Sequence, residues 1–491
     1  MQVASVLFVL RIAALYWRDG RRKPKNSEHT QPFRVPWLGL AAGVAVWSVS
    51  LTVGFISDDF AHLYHASGHL WPQLWSLFIN GQDETFMRPV GFASIFLDHS
   101  LWGQWAAGYH LTNLGLHLAA VAGFYTLNRT LGASKNHAAF IAGVYICMPV
   151  QVEAVAWMGA RFDLLSNALT IWAAVFYLWY RESSRVPTYA TALFLYLLAT
   201  FSKENGFVLP LLIVVIEFLF FSPRKIWAPI GLFGAGLLSF AYRWYALKGV
   251  GGYSSGGKLS ALDIGPKTLE GFLLRGPTQL FSGLNWTQPP GWIVIVLGSL
   301  SATTLLLLSF KGSPSPQNWR CIKLGGAWAL ISMAPAHFLL MVGASLTNSR
   351  VFYMASAGAA FVLGHLVLAL PKPKARETAM FALVLLMSLG VAHNISAWRW
   401  ASRASAEVLA AVVRLEPSPP PQAEFVFENM PQTLRGVFFF QVGLTEGLRL
   451  VYGRPDVSAQ REEQHSAPTH AIRLLWTGDP ARMIERQPEE R

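Results

Sequence analysis

The sequence is poor in charge and in cysteine. Only 13% of its 491 residues are charged, against roughly 25% in ordinary soluble domains. Hydrophobic residues make up 53% of the chain, and 19 of its residues are Trp, a composition typical of a membrane protein with many spans and Trp at its interfaces. The two cysteines, Cys147 and Cys321, fall in or beside separate apolar runs, which excludes a disulfide framework.

The motifs of several enzyme classes are also missing. The chain has no Walker loop, no GxGxxG after a strand, no CxxC pair and no nucleophile elbow. Nucleotide hydrolysis and nicotinamide chemistry therefore find no support.

The net charge of +12 does not indicate a nucleic-acid partner. The basic residues fall in clusters between alternate apolar runs, as the positive-inside rule expects of cytoplasmic loops. The positions of the basic residues therefore predict the topology. The N-terminus is expected in the cytoplasm, and membrane lipids are expected around the protein.

Long apolar runs predict an α-helical polytopic membrane protein with about eleven transmembrane helices. The predicted spans are 36–56, 107–128, 138–156, 164–180, 188–202, 206–222, 226–247, 291–310, 323–343, 351–370 and 377–396.

This predicted topology divides the chain into three parts. Residues 1–35 form a cytoplasmic or interfacial segment, and 36–400 form the transmembrane domain, with outer loops at 57–106 and 248–290. Residues 401–491 open with a proline-rich linker, followed by short apolar runs between turn residues. These runs predict a small extracytoplasmic α/β domain.

The stretch "FISDDFAHLYHASG" places Asp58 and Asp59 where the first span meets water. Carboxylates at this boundary suit a general base or a ligand for a divalent cation beside a phosphate. The alternative is that Ser57 or an aspartate caps the following helix, which is the commoner use of these residue types.

Histidines follow on one face of that helix, at His62, His65 and His69. Their spacing is compatible with a metal site, but ordinary hydrogen bonding is the commoner use of such residues. The sequence therefore leaves a divalent cation open and predicts no other cofactor.

A second polar stripe lies inside a predicted span, where His110, Asn113 and His117 share one helical face. Such residues face a cavity or another helix. Substrate contact and hydrogen bonding between helices are both compatible with the pattern.

Acids and cations recur at the outer turns of the predicted topology. Pairing of Arg161 with Asp163 is one simple explanation for two of them. Their convergence at one depth favours an anionic, amphipathic substrate whose phosphate meets Arg or Lys. The candidates are Arg88, Glu153, Arg161, Asp163, Lys203, Glu204 and Arg350.

In their order, the acidic pair and the motifs "RPVGF", "GYHLTNLGLH", "EAVAWMGARFDLLS", "SKENG" and "SRVFYMASAG" resemble the GT-C glycosyltransferases. The likeness covers about residues 36–400 and is strongest to the membrane part of the transmembrane and tetratricopeptide-repeat O-mannosyltransferases and their bacterial relatives. Met148 stands where that family usually has His, and Ser349 where it has an acid. The chain has no 34-residue helical repeat, which favours the bacterial type.

The resemblance implies roles for individual residues. Asp58 and Asp59 would act at the reaction centre, either as the base toward the acceptor or in organising the site, with Asp58 favoured. Glu153 would match an acid of the family, and Arg161, Lys203 and Arg350 would hold the donor phosphate.

The resulting prediction is an inverting hexosyltransferase that moves a sugar from a polyprenyl-phosphate carrier to a hydroxyl of a lipid, glycan or protein acceptor outside the cytoplasm. The bacterial inner membrane is the predicted location. The alternative is a transporter or flippase of polyprenyl-linked glycans, although the internal repeats common in transporters are not visible.

Overall fold

The computed structural model describes residues 35–68, 70–80, 86–249, 251, 254–255, 258–259, 270–311, 314–337, 342–462, 471–479 and 482–486. It is mostly helical in these ranges. The predictions for His69 and for residues 1–34 of the N-terminal segment lie outside the described residues.

The first part of the chain forms a helix at the first predicted span and three further helices within the predicted outer loop. Helix α1 (Val35–Trp47) continues as a 3-10 turn (Ser48–Thr52). The helices of the loop are α2 (Asp58–Ala66), α3 (Leu70–Asn80) and α4 (Pro89–Trp102).

Helices then occur at the positions of the next predicted spans, with 3-10 turns at several ends. They are α5 (Ala106–Thr130), α6 (Lys135–Ile146), α7 (Val152–Ala156), α8 (Arg161–Ser183), α9 (Val186–Ser202), α10 (Leu209–Phe220) and α11 (Trp227–Ala246). The turns are Pro149–Gln151, Met158–Ala160 and Glu204–Val208.

After two short strands, β1 (Ser254–Ser255) and β2 (Lys258–Leu259), a π-helical turn (Gly271–Arg275) leads into the last helices of this part. These are α12 (Gly276–Ser282), α13 (Gly291–Lys311), α14 (Pro316–His337), α15 (Tyr353–Leu368) and α16 (Pro373–Leu415), with a 3-10 turn at Ser349–Phe352.

Three helices in the described ranges are long and apolar enough to cross a membrane: Met158–Ser183, Ser349–Leu368 and Pro373–Leu415. A fourth span is added if α6 and the segment Pro149–Ala156, bent by 50° at the break between them, form one crossing. The chain is therefore an integral membrane protein. The count of about eleven stays a prediction, because several of the other helices are shorter than 18 residues or carry polar residues.

The residues after α16 form a four-stranded sheet with one helix. The strands are β3 (Glu424–Glu428), β6 (Ser458–Arg461), β7 (Ile472–Asp479) and β8 (Arg482–Arg486), in the spatial order β6-β3-β7-β8. β3 pairs parallel to β6 and β7, and β7 pairs antiparallel to β8. A separate hairpin joins β4 (Thr433–Leu434) to β5 (Val437–Phe438), and α17 (Leu444–Tyr452) connects that hairpin to β6.

The long helix α16 links the two parts. It continues to Leu415, past residue 400 at which the sequence placed a boundary, and its last turns share an apolar core with the sheet and with α17. This core includes Val408, Val412, Phe425, Phe427, Leu448 and Leu474. One of the short apolar runs of this region, "LRLVYG", lies in α17 and extends one residue past its end.

Candidate functional site

The two adjacent aspartates have different surroundings. Asp59 is completely buried. Its Oδ2 accepts the backbone N–H of Ile56 at 3.0 Å, and its Oδ1 accepts that of Gly159 at 2.8 Å. Burial raises the pKa of Asp59 well above its usual range, and the two backbone bonds offset part of that rise. Asp59 therefore holds two chain segments together.

Asp58 is partly exposed at the first position of α2. The Ser57 hydroxyl donates to Asp58 Oδ1 at 3.1 Å. No ion pair to Asp58 is formed within the ranges that the structure describes. The alternative role, a helix cap made by the Ser57 side chain, is not observed. The Ser57 hydroxyl contacts Asp58 instead.

The two described histidines of the predicted face, His62 and His65, have different surroundings. His62 is buried edge-on against the rings of Phe92 and Phe162, whereas His65 is exposed. Burial lowers the pKa of His62 to about 4. In the part of the chain that the structure describes, no group of three or more His, Cys, Asp or Glu residues is placed to hold a metal ion.

Arg161 is completely buried and does not pair with Asp163, so that predicted pairing is wrong. Its Nη1 contacts the Asp98 carboxylate. Its Nε donates to Asn113 Oδ1 and its Nη2 to the Tyr109 carbonyl, both at 2.8 Å. The guanidinium is thus surrounded by protein acceptors, which does not fit the role of phosphate ligand predicted for it.

Asp163 pairs instead with Lys203, whose Nζ lies 2.5 Å from Asp163 Oδ2. Asn205 Nδ2 donates to the other carboxylate oxygen at 3.2 Å. Burial lowers the pKa of the Lys203 ammonium, and the negative charge of Asp163 offsets part of that change. The Lys203 side chain is 10% exposed.

Glu153 and Arg350 form a third pair. Arg350 contacts Glu153 through its guanidinium, and its backbone N–H donates to Glu153 Oε2 at 3.1 Å. Ser349, which stands where the resembled family has an acid, donates its hydroxyl to the same oxygen at 3.3 Å. A carboxylate at position 349 would meet Glu153, so Ser349 fits the pair observed here.

A fourth group includes a cation that the sequence analysis did not identify. Glu204 Oε2 lies 2.8 Å from Arg88 Nη2, and Glu204 Oε1 lies 2.8 Å from Arg243 Nη2. Burial alone would raise the pKa of Glu204, but the two guanidinium groups lower it well below its usual value. Arg243 lies near the end of α11. Its position in an otherwise apolar helix was the signal that could have identified it.

The polar stripe of α5 is buried in protein. His110, Asn113 and His117 have no exposed surface. His117 Nδ1 lies 2.7 Å from the Tyr353 hydroxyl, and Asn113 Nδ2 donates to the Trp157 carbonyl at 2.9 Å. These contacts favour hydrogen bonding between segments over substrate contact for Asn113 and His117.

Trp157 connects the acidic pair to the Glu153–Arg350 pair. Its indole N–H donates to the Ile56 carbonyl at 3.3 Å. The Arg350 guanidinium lies 5.1 Å from the centre of the Trp157 ring. The residues predicted from separate outer turns therefore share one packed region.

Comparison with known proteins gives one match in sequence and several in structure. No family model matches the chain. A protein O-mannosyl-transferase of Caenorhabditis elegans is 30% identical over 216 residues, which are 41% of this chain. The chain spans about 30% of the length of that relative.

The chain is also similar to solved structures at low sequence identity. ArnT from Cupriavidus metallidurans bound to undecaprenyl phosphate has a TM-score of 0.49 at 11% identity, covering 90% of this chain and 93% of ArnT. An oligosaccharyltransferase from Archaeoglobus fulgidus has a TM-score of 0.39 at 12% identity, covering 86% of this chain and 64% of that one.

The sequence match agrees with the likeness that the ordered motifs predicted. The motifs predicted a likeness to O-mannosyltransferases, and this relative is a protein O-mannosyl-transferase. The chain is thus similar to such a protein over 216 residues, as its sequence predicted.

Proposed function

We propose that the protein is a membrane glycosyltransferase that uses a polyprenyl-phosphate sugar as donor. The acceptor hydroxyl oxygen attacks the anomeric carbon of the sugar, and the bond from that carbon to the phosphate oxygen breaks. The electron pair leaves with polyprenyl phosphate, and the acceptor proton passes to Asp58. A single displacement of this kind inverts the anomeric centre.

The observation that carries the proposal is the difference between Asp58 and the other acids of this region. Asp98, Glu153, Asp163 and Glu204 each contact a cation, and Asp59 is engaged by two backbone N–H groups. Asp58 is partly exposed and contacts a serine hydroxyl. A general base needs a carboxylate that the acceptor hydroxyl can reach, and Asp58 fits this requirement better than these neighbours.

The position of Asp58 also suits a lipid-linked donor. It begins the helix that follows the first predicted span. This is the membrane depth at which the phosphate of a polyprenyl chain would lie. The sequence likeness to an O-mannosyl-transferase supports sugar transfer as the reaction.

For the donor phosphate we propose Arg88 as the first contact in place of Arg161. The Arg88 side chain is 13% exposed and that of its partner Glu204 is 33% exposed. The side chains of Arg161 and its partner Asp98 are 0% and 3% exposed. A phosphate can therefore approach the Arg88 guanidinium from solvent. Lys203 and Arg350, with side chains 10% and 11% exposed, are proposed to add positive charge beside it.

The proposed location is the bacterial inner membrane, with the N-terminus in the cytoplasm and the site outside. The basic clusters between alternate apolar runs support this orientation.

The proposal is tested with purified protein in liposomes that contain a panel of polyprenyl-phosphate sugars and soluble acceptors. Release of free polyprenyl phosphate by the wild type, with a chelator in a parallel sample, is the expected result and identifies the sugar. Movement of the intact glycolipid across the bilayer without its hydrolysis or transfer would contradict the proposal and support a flippase.

A further inference from the structure

The helix that carries Asp58 is in direct contact with the C-terminal module, defined as the described residues from 416 onward. The Phe60 and Phe440 rings stack with centroids 5.5 Å apart and an angle of 15° between planes. One turn further along, the Arg449 guanidinium lies 5.5 Å from the centre of the Tyr64 ring. The module therefore packs along α2.

A further contact lies at Ser57, immediately before Asp58. Ser57 has φ +50° and is buried, a backbone conformation that costs a non-glycine residue energy unless its surroundings hold it. Ser57 Oγ lies 3.4 Å from the Val442 carbonyl oxygen and 3.5 Å from the Val442 nitrogen. The same hydroxyl contacts Asp58 at 3.1 Å, so it connects the module to the carboxylate.

Gly443 makes this approach possible. It has φ +85°, and a Cβ placed on it would lie 2.4 Å from the Ser57 carbonyl oxygen and 3.3 Å from the Ala61 nitrogen. Both groups are backbone atoms of the Asp58 region, so they have little room to move away. Any residue other than glycine would push α2 and the module apart.

From these contacts we infer that the C-terminal module positions Asp58 through Ser57 and Gly443. Ser57 and Gly443 are positioning residues, and their effect on the reaction passes through the Asp58 carboxylate. This inference rests on the function proposed above, and it assigns that module a role in catalysis.

The test compares two alanine substitutions at opposite ends of α17. Gly443→Ala and Gly453→Ala both place alanine at positive φ, +85° and +64° respectively, but a Cβ at position 453 meets no atom within 4 Å. We expect Gly443→Ala to lower kcat about 100-fold, the effect expected of a misplacement near 1 Å, with little change in donor KM. Gly453→Ala should stay close to the wild-type kcat.

Two further readouts separate positioning from loss of stability. In an Asp58→Asn background, Gly443→Ala should cause no further loss of rate, because the carboxylate through which it acts is gone. Independently of turnover, hydrogen exchange of the peptide that covers α2 should be faster in Gly443→Ala than in Gly453→Ala. If Gly443→Ala fails to fold, Ser57→Ala removes the bridging hydroxyl without added bulk and should show the same non-additivity.

Equal kcat and equal hydrogen exchange in the two glycine variants would overturn the inference and leave the proposed function intact. A further loss of rate on adding Gly443→Ala to Asp58→Asn would also overturn it. Full turnover by Asp58→Asn alone would instead contradict the proposed function.

Discussion

The Lys203 ammonium lies 2.5 Å from the Asp163 carboxylate, across two turns that are 40 residues apart in the chain. This pair joins the first turn of α8 to the segment that follows α9. It is typical of the region, in which most acids and cations predicted from the sequence contact one another. Asp58 differs from them, because it is partly exposed and contacts a hydroxyl.

Asp59→Asn should destabilise the protein, whereas Asp58→Asn should not. Asparagine has one side-chain oxygen, so the N–H of Ile56 or of Gly159 would lose its acceptor and face an amide N–H₂ instead. A buried donor without a partner costs about 1–3 kcal/mol. Thermal unfolding of both variants in detergent measures this difference. Equal midpoints would show that Asp59 does not hold the two segments together.

Arg161→Gln should destabilise the protein strongly, by about 3–5 kcal/mol, because it leaves the buried Asp98 carboxylate without a cation. Adding Asp98→Asn should recover part of the loss, since the uncompensated charge is then removed. The free energy of unfolding of the single and double variants checks this coupling. A stable Arg161→Gln protein with a raised donor KM would contradict this prediction and support Arg161 as a ligand of the donor phosphate.

Arg88→Gln should raise the donor KM about tenfold, since loss of one charge-assisted hydrogen bond amounts to about 1.5 kcal/mol or more. Steady-state kinetics with the active donor measure this change. Arg414→Gln is the matched control, because its side chain is 66% exposed at the end of α16. Equal donor KM values in the two variants would contradict the proposed phosphate contact.

His62 should make the protein less stable in acid. Its pKa falls from 6.5 in the unfolded chain to about 4 in the fold, so the unfolded state binds more protons between these values. Stability therefore rises with pH from about 4 to 6.5, by up to about 3 kcal/mol. The pH dependence of the unfolding midpoint should be flatter in His62→Gln and unchanged in the exposed control His65→Gln. Parallel pH profiles of both variants would refute this assignment.

The sequence predicted the positions of the helices around this site better than the contacts between its charged residues. Apolar runs and the turns between them located most of the described helices. The partners were not predictable, because Arg161 meets Asp98 and Arg350 meets Glu153 across 63 and 197 residues. Such contacts depend on how the helices pack, which spacing along one chain does not encode.

The different roles of Asp58 and Asp59 could not be predicted from the sequence either. Adjacent residues on a helix point about 100° apart, so one of the two faces Gly159 while the other does not. Which one is buried depends on the backbone at Ser57, whose positive φ is uncommon for serine. Arg243 was missed because it follows a long apolar run and was counted with that span.

The rate of sugar transfer by Asp58→Asn in a single turnover shows whether Asp58 is the general base. Glu407→Gln is the control, because the Glu407 side chain is 56% exposed on α16. If Asp58 is the base, its variant should lose about 10²- to 10⁴-fold in rate while donor binding and the unfolding midpoint stay at wild-type values. A rate equal to that of Glu407→Gln would contradict the account.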